Sequence, residues 1–227
     1  MGLPPGADWD LHADGACHYG GLAAELLPAL AEVLTSQPSH QAGLRMVGIA
    51  PLARMLGPDS LIGQKVTDLG GVPAHPVRAV LFNKAGDMNW ALGWHQDRTI
   101  AVRQRVDTPG FGPWSVKRGI QHVEPPFAVI AAMLTVRIHI DRVDEDNAPL
   151  LVALGSHRLG RIAVTDVGAV VERCTIRPCL ADAGDVWIYH TPVVHASRAA
   201  RPGRRRRVLQ VDYASQHLPA GLEWLGI

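Results

Sequence analysis

The chain has 227 residues, enough for one large domain with a substantial core, and 47% hydrophobic against 19% charged residues excludes a disordered chain. A formal net charge of +1 gives no reason to expect nucleic acid or an anionic membrane as a partner. Cys17, Cys174 and Cys179 are too few and wrongly spaced for a disulfide framework or a paired zinc motif, so they are read as reduced thiols.

The start, Met1 to Asp8, lacks the basic residues and apolar run of a signal peptide. The longest apolar stretch, Phe127 to Val136, is about half of what a membrane helix needs. A cytoplasmic chain with no membrane partner is therefore expected, forming a single domain over 1–227.

Residues 1 to 20 carry Pro, Gly and Asp with no apolar period and read as a loose leader. From Gly21 to Leu34, Leu22, Leu26, Leu27, Leu30 and Leu34 recur at helical spacing, which predicts an amphipathic helix stopped by Ser36-Gln37-Pro38-Ser39. A second short helix is expected over Pro51 to Leu56, ended by Gly57-Pro58. Residues 1–60 are thus leader and helices, their leucines serving as core packing.

From residue 61 the texture changes to short apolar runs broken by Gly, Pro, Asn and Asp. The predicted strands are Leu61–Val66, Val77–Asn83, Trp94–Val102, Met133–Ile140, Pro149–Leu154, Thr175–Pro178, Asp185–Tyr189 and Arg206–Tyr213. Many short strands with turn chemistry between them predict a mainly β barrel or jelly roll with flanking helices, its core spanning 61–214. Asp107 to Pro126, with four prolines and three glycines, reads as an irregular insertion of the kind that often covers an active site.

One stretch in the β region can carry chemistry, Gly93-Trp94-His95-Gln96-Asp97-Arg98. Side chains at i and i+2 of a strand leave on the same face, so His95 and Asp97 can reach one metal ion. Among eleven histidines a chance His-x-Asp pair is unsurprising, and alone it reads equally as a solvated turn. A third ligand comes from His195, after the Gly184-Asp185 turn, a strand and the Pro192 break. Two histidines and a carboxylate on one side of a metal suit non-haem iron(II) and leave positions open for a chelating oxo-acid and dioxygen. Arg206, opening the last strand, would hold the far carboxylate of that oxo-acid.

These words also resemble the phytanoyl-CoA dioxygenase family of iron(II)/2-oxoglutarate oxygenases, from about Val77 to Ala214. The resemblance rests on Trp94-His-Gln-Asp97, on Asp146-Asn-Ala-Pro-Leu-Leu-Val-Ala-Leu-Gly-Ser-His157, on His195 with Ser197 and Arg206, and on the Phe111-Gly-Pro-Trp and His122-Val-Glu-Pro-Pro segments. It implies a double-stranded β-helix (cupin-like jelly roll) and an enzyme that uses iron(II), 2-oxoglutarate and O2 to hydroxylate an aliphatic C–H, releasing succinate and CO2. By the same resemblance His95, Asp97 and His195 are the metal ligands and catalytic centre. Arg206 and Ser197 bind the distal carboxylate of 2-oxoglutarate, and Arg137 lies beside it. Asp97 separates the chain from related halogenases, which lack that carboxylate. The family commonly has Asn-Gly where this chain has Asn147-Ala148, and Leu-Pro-Gly-Ser-His where it has Ala153-Leu154-Gly155, departures expected to affect local loop shape only.

Trp94, Arg98, Lys84 and His122 are candidates to face a small-molecule substrate, with an exposed structural role the equal alternative for Arg98, Lys84 and His122. His139, Arg142 and Asp144 are assigned to a strand end and solvated turn, and His157 to a structural role. Alternation turns Arg206 inward and Arg207 outward, which breaks up the basic run near 204–207. The sequence shows no strong cationic surface for coenzyme A, which favours a smaller or less charged substrate. Two alternatives from other classes are a jelly-roll isomerase or hydrolase using the same ligands without the oxo-acid, and a non-catalytic binding module.

Overall fold

The structure is a computed structural model that describes residues 9–38, 43–84, 90–201 and 206–227. Period-two alternation in the long strands builds its centre. On Arg206–Ala214 (β13), Arg206, Val208, Gln210 and Asp212 alternate with Arg207, Leu209, Val211 and Tyr213. On Leu134–His139 (β8), Thr135, Arg137 and His139 alternate with Leu134, Val136 and Ile138. A strand that is polar on one face and apolar on the other must bury both here, because every residue of β8 is buried.

The apolar face packs under helices. Val136, Ile138, Leu209, Val211, Tyr213 and Ile188 form one cluster with Leu30 of α2 (Leu27–Thr35), Leu52 and Leu56 of α3 (Ala50–Leu56), and Ile62 and Val66 of α4 (Leu61–Gly70). The Tyr213 hydroxyl donates to the Leu56 carbonyl at 2.7 Å and so satisfies the last turn of α3.

β8 and β13 are central in a six-stranded antiparallel sheet. Its order is β1 (Ala16–Tyr19), β11 (Val186–His190), β8, β13, β3 (His75–Lys84) and β2 (Leu44–Arg45). A four-stranded sheet faces it, ordered β10 (Ile176–Cys179), β9 (Leu150–Ala153), β12 (His195–Ser197) and β4 (Leu92–His95). Leu150 and Val152 of this sheet share a cluster with Trp187 and Tyr189 of the larger one. The two facing sheets form a double-stranded β-helix, the jelly roll expected from the strand pattern. At one rim a three-stranded sheet joins β5 (Ile100–Val102), β7 (Ile120–Val123) and β6 (Trp114–Lys117).

Six of the eight predicted strands lie within two residues of their expected ends; Trp94–Val102 divides into β4 and β5, and Leu61–Val66 is not a strand. That segment opens α4, whose Ser60 side chain caps the helix by accepting from the Gly63 amide at 3.0 Å. Gly71 at φ +70 closes it, and the Ile62–Val66 spacing of four is helical. Gly63 is required because a Cβ there would sit 2.0 Å from the Gly57 carbonyl oxygen.

Residues 9–20 of the expected leader are not loose, while residues 1–8 lie outside the described residues. Asp10 caps a short helix, α1 (Leu11–Asp14), and β1 pairs with β11, covering that edge of the large sheet. The expected helix over Gly21 to Leu34 becomes a 3-10 turn at Ala24–Leu26 followed by α2, while Pro51 to Leu56 falls within α3.

Asp107 to Pro126 is not irregular throughout. It carries the β6–β7 hairpin, turned at Arg118 and Gly119, both at positive φ (52° and 79°) as a two-residue turn of the tight hairpin type requires. The apolar run from Phe127 divides into α5 (Phe127–Ala131) and β8, and a further helix, α6 (Val167–Arg173), lies over β4. Among the described residues no helix is long and apolar enough to cross a membrane.

Candidate metal centre and cosubstrate nook

His95 and His195 lie a hundred residues apart but meet because β4 and β12 pair antiparallel with these two residues directly opposite. Their ring centroids are 4.3 Å apart, and the His95 Nε2 lies 3.9 Å from the Asp97 Oδ1. One ligand atom from each of His95, Asp97 and His195 falls within 4.8 Å of the other two. The tautomers follow from the second nitrogens. His95 Nδ1 is 2.8 Å from the Gly93 carbonyl and His195 Nδ1 is 2.9 Å from the Val193 carbonyl. A carbonyl only accepts, so each Nδ1 carries a proton and each Nε2 presents a lone pair to the shared space. Burial holds the His195 pKa down at about 4, and hence the ring neutral, the form a metal needs. Burial alone would raise Asp97, but its positive surroundings, with Arg78 the permanent charge among them, outweigh burial and leave its pKa lowered, as a carboxylate. Two neutral imidazoles and a carboxylate converging from one side fit a facial-triad metal.

Gln96, between the two ligands, faces the other way and ties them to two loops. Its amide donates to the Gly160 and Pro192 carbonyls at 3.0 and 2.9 Å and accepts from the Ile162 amide at 3.1 Å. A Gln96→Leu change keeps the volume but strands three backbone groups. At ~1 kcal/mol or more for each buried unsatisfied group, it should cost about 2–4 kcal/mol by chemical denaturation and weaken metal binding as the ligand strand loosens.

Beyond the triad, the inner face of the large sheet gathers buried cations. Arg206 on β13 pairs in register with Lys84 on β3, and Arg137 on β8 pairs with Gln210. Lys84, Arg206 and Arg137 are 1%, 2% and 4% exposed. Lys84 donates to the Trp90 carbonyl (2.6 Å), the Arg198 carbonyl (3.0 Å) and the Ser197 hydroxyl (3.1 Å). Arg206 donates to the Ala148 carbonyl and Arg137 to Gln210 Oε1 at 2.8 Å, while the Nε of both arginines is buried without an acceptor. Among the described residues no carboxylate pairs with any of the three. Burial and its neighbours Arg206 and Arg137 press Lys84 down to about 7, and burial with Arg137 presses Arg206 to about 9, still charged at neutral pH. Buried guanidinium donors left open in this way fit a bound carboxylate from outside the chain.

Ala148, where the resemblance leads one to expect glycine, sits at φ +54. A side chain costs roughly 1–2 kcal/mol there. Its carbonyl holds Arg206, so the departure touches a buried residue of the candidate site rather than a remote loop.

The other sequence candidates divide. His122 is buried on β7, its Nδ1 bonded to the Ile120 carbonyl at 3.0 Å, and burial holds its pKa down to about 4. Lys84 belongs with Arg206 and Ser197, its three donors already used. Trp94 packs with Val167, Val170 and Ile162 on the outer side of β4, because alternation turns it away when His95 turns in. Arg98 donates to the Ile162 carbonyl and secures the same loop as Gln96. His139 does end a strand, as the last residue of β8, but it is buried on the inner face, with both ring nitrogens without partners among the described residues. Arg142 does lie in solvent, 3.4 Å from Asp182. His157 stacks on His190 (centroids 4.7 Å, interplanar 2°), a structural contact. Arg207 points out and is held by Asp141 at 2.6 and 2.9 Å.

A polar lattice on the inner face was not anticipated. Arg78 lies 2.6 Å from Asp212, which accepts from Thr135 at 3.3 Å; Thr135 in turn meets Thr191 at 3.0 Å. The signal was present: Gln210 and Asp212 interrupt an apolar strand at period two, in step with Thr135 and Arg137 opposite.

Two facing antiparallel sheets with two histidines and an aspartate at the rim define a jelly-roll protein with a candidate facial-triad metal site. The family model for phytanoyl-CoA dioxygenase matches residues 59–208, and the chain belongs to that family. No curated protein matches the chain in sequence. Solved structures share its fold at low identity. The non-heme alpha ketoglutarate dependent epimerase SnoN from nogalamycin biosynthesis is 16% identical with a TM-score of 0.62, over 90% of this chain and 79% of that one. The alpha ketoglutarate dependent carbocyclase SnoK from the same biosynthesis is 16% identical with a TM-score of 0.64, over 100% and 91%. EctD from S. alaskensis, solved with 2-oxoglutarate and 5-hydroxyectoine, is 16% identical with a TM-score of 0.66, over 100% and 87%.

Proposed function

We propose that the protein is an iron(II)- and 2-oxoglutarate-dependent oxygenase that hydroxylates an aliphatic C–H of a small molecule, with release of succinate and CO2. The observation that carries this reading is a facial triad set beside a buried nook of three cations that no carboxylate of the described chain neutralises. Iron(II) with 2-oxoglutarate and O2, when bound, supplies an oxidant able to take hydrogen from an unactivated carbon.

The chain's own part is placement. His95, Asp97 and His195 hold the metal on one side and leave the other side open. Arg206, with Ser197 and Arg137, receives the distal carboxylate of the cosubstrate as a charge-assisted pair out of water. Lys84 fixes the Ser197 hydroxyl, and Gln96 and Arg98 fix the ligand strand against the 160–162 loop. The β6–β7 hairpin, whose Lys117 reaches the Thr99 hydroxyl two residues past Asp97, would cover the site.

Oxygen uptake by iron-loaded protein checks the reading against a metal isomerase or hydrolase. Uptake should depend on 2-oxoglutarate and match succinate formation one for one, and a turned-over substrate should gain the mass of one oxygen atom. Turnover of a substrate without 2-oxoglutarate would refute it, and a product of unchanged mass would replace hydroxylation with another oxidative outcome.

A further inference from the structure

Arg45 stands opposite Val80 where β2 pairs with β3, and residues paired across antiparallel strands share a face. Val80 lies on the inner face with Arg78, two residues away, whereas Leu44, Ala79 and Leu81 pack outward under the helices. Arg45 therefore enters the barrel mouth from the edge strand. From the other side comes the β6–β7 hairpin, whose Lys117 Nζ lies 3.4 Å from the Thr99 hydroxyl, two residues past Asp97. The segments meet electrostatically. Burial and the charges of Arg118 and Arg78 depress Arg45, while burial and Arg78 depress Lys117 against the pull of Asp97. Lys117, Arg78 and Arg45 all bear on His122.

Among the described residues, the negative groups that face Arg78 and Lys117 are already committed. Asp212 is held by Arg78 at 2.6 Å, and Asp97 belongs to the metal triad. Among the described residues the acceptors of Arg45 and Lys117 are the Gly43 carbonyl at 3.0 Å and the Thr99 hydroxyl, both neutral. The cationic surface that no single stretch of sequence displays is thus assembled from β2, β3 and the hairpin, and converging uncompensated cations favour an anion.

We infer that the mouth between β2 and the β6–β7 hairpin binds a carboxylate or phosphate group of the substrate, gripped by Arg45 and Lys117 above the Asp97 side of the triad. The word substrate rests on the oxygenase reading; the anion site does not. The site selects acids or phosphate esters over neutral analogues of the same skeleton, and Arg45 and Lys117 determine that specificity.

Anaerobic calorimetry on the iron(II)/2-oxoglutarate complex tests this with octanoate, octyl phosphate and octan-1-ol, the occupied cosubstrate nook removing its cations from competition. Either anion should bind at least ~10-fold tighter than the alcohol, in keeping with a charge-assisted pair. R45Q/K117Q should lose that preference, and the charge-conserving R45K/K117R should keep it. Equal binding of all three probes, no binding of either anion, a preference surviving in R45Q/K117Q, or one lost in R45K/K117R overturns the inference. The visible absorption of the iron–cosubstrate complex, recorded on the same samples, reports on the oxygenase proposal separately.

Discussion

Replacing Asp97 with alanine is expected to abolish 2-oxoglutarate turnover and to weaken iron binding by more than the ~10–100-fold that loss of an outer partner costs. Asp97 supplies the triad's only negative charge, so without it the metal would rest on two neutral imidazoles of one strand pair. The fold should persist, because the Asp97 side chain bridges no strands, and the free His95 and His195 keep their Nδ1 bonds to Gly93 and Val193. Metal titration of the variant, with succinate as the activity readout, checks both parts. An Asp97→Ala protein that binds iron and forms succinate at wild-type levels would show that the triad is misassigned.

Arg206→Ala should raise the 2-oxoglutarate concentration needed for half-maximal turnover by about two orders of magnitude, within the ~2–5 kcal/mol that truncating one partner of a buried charge pair costs. Iron binding should survive, since Arg206 is not among the ligand atoms. A second signature separates this role from a structural one. Arg206 is buried beside Arg137 with its Nε unpaired, an arrangement that costs folding free energy. Its removal should therefore leave the melting temperature unchanged or higher while the cosubstrate requirement climbs, the pattern of a residue kept for function. Arg207→Ala is the control. That side chain points outward to Asp141, and its loss should leave the cosubstrate requirement alone. If instead Arg207→Ala moves the requirement and Arg206→Ala does not, the strand faces have been assigned in reverse.

What sequence pattern made legible is what depends on local alternation. The long strands declare themselves because Leu209 and Val211, or Val136 and Ile138, need burial at every second place. The same rule sends Arg206 in and Arg207 out, and it suggests the meeting of His95 and Asp97, although Asp97 lies just past the end of β4. It also held the answer for Trp94, which alternation turns outward, although proximity to the ligands suggested a substrate contact.

What could not be read locally depends on partners far along the chain. Leu61 to Val66 has the apolar density of a strand, and burial of Ile62 and Val66 against β13 and β3 decides for the helix that the Ser60 cap and their spacing of four allow. Ala16 to Tyr19 becomes a strand because β11 needs its edge covered. The hairpin within 107–126 is set by a two-residue turn whose Arg118 takes a left-handed conformation without being Gly or Asn. Arg45, Arg78 and Lys117 look like unrelated surface charges until β2, β3 and the hairpin bring them to one mouth. Lys84 likewise becomes intelligible only from its register with Arg206.

The most direct measurement is the anaerobic addition of iron(II) and then 2-oxoglutarate to the metal-free protein, followed by visible absorption. A weak charge-transfer band should appear only when both are present, saturate at one equivalent of each, and decay on admission of air as succinate forms. Intact, folded protein that binds one equivalent of iron(II) yet shows no such band and forms no succinate would contradict the account.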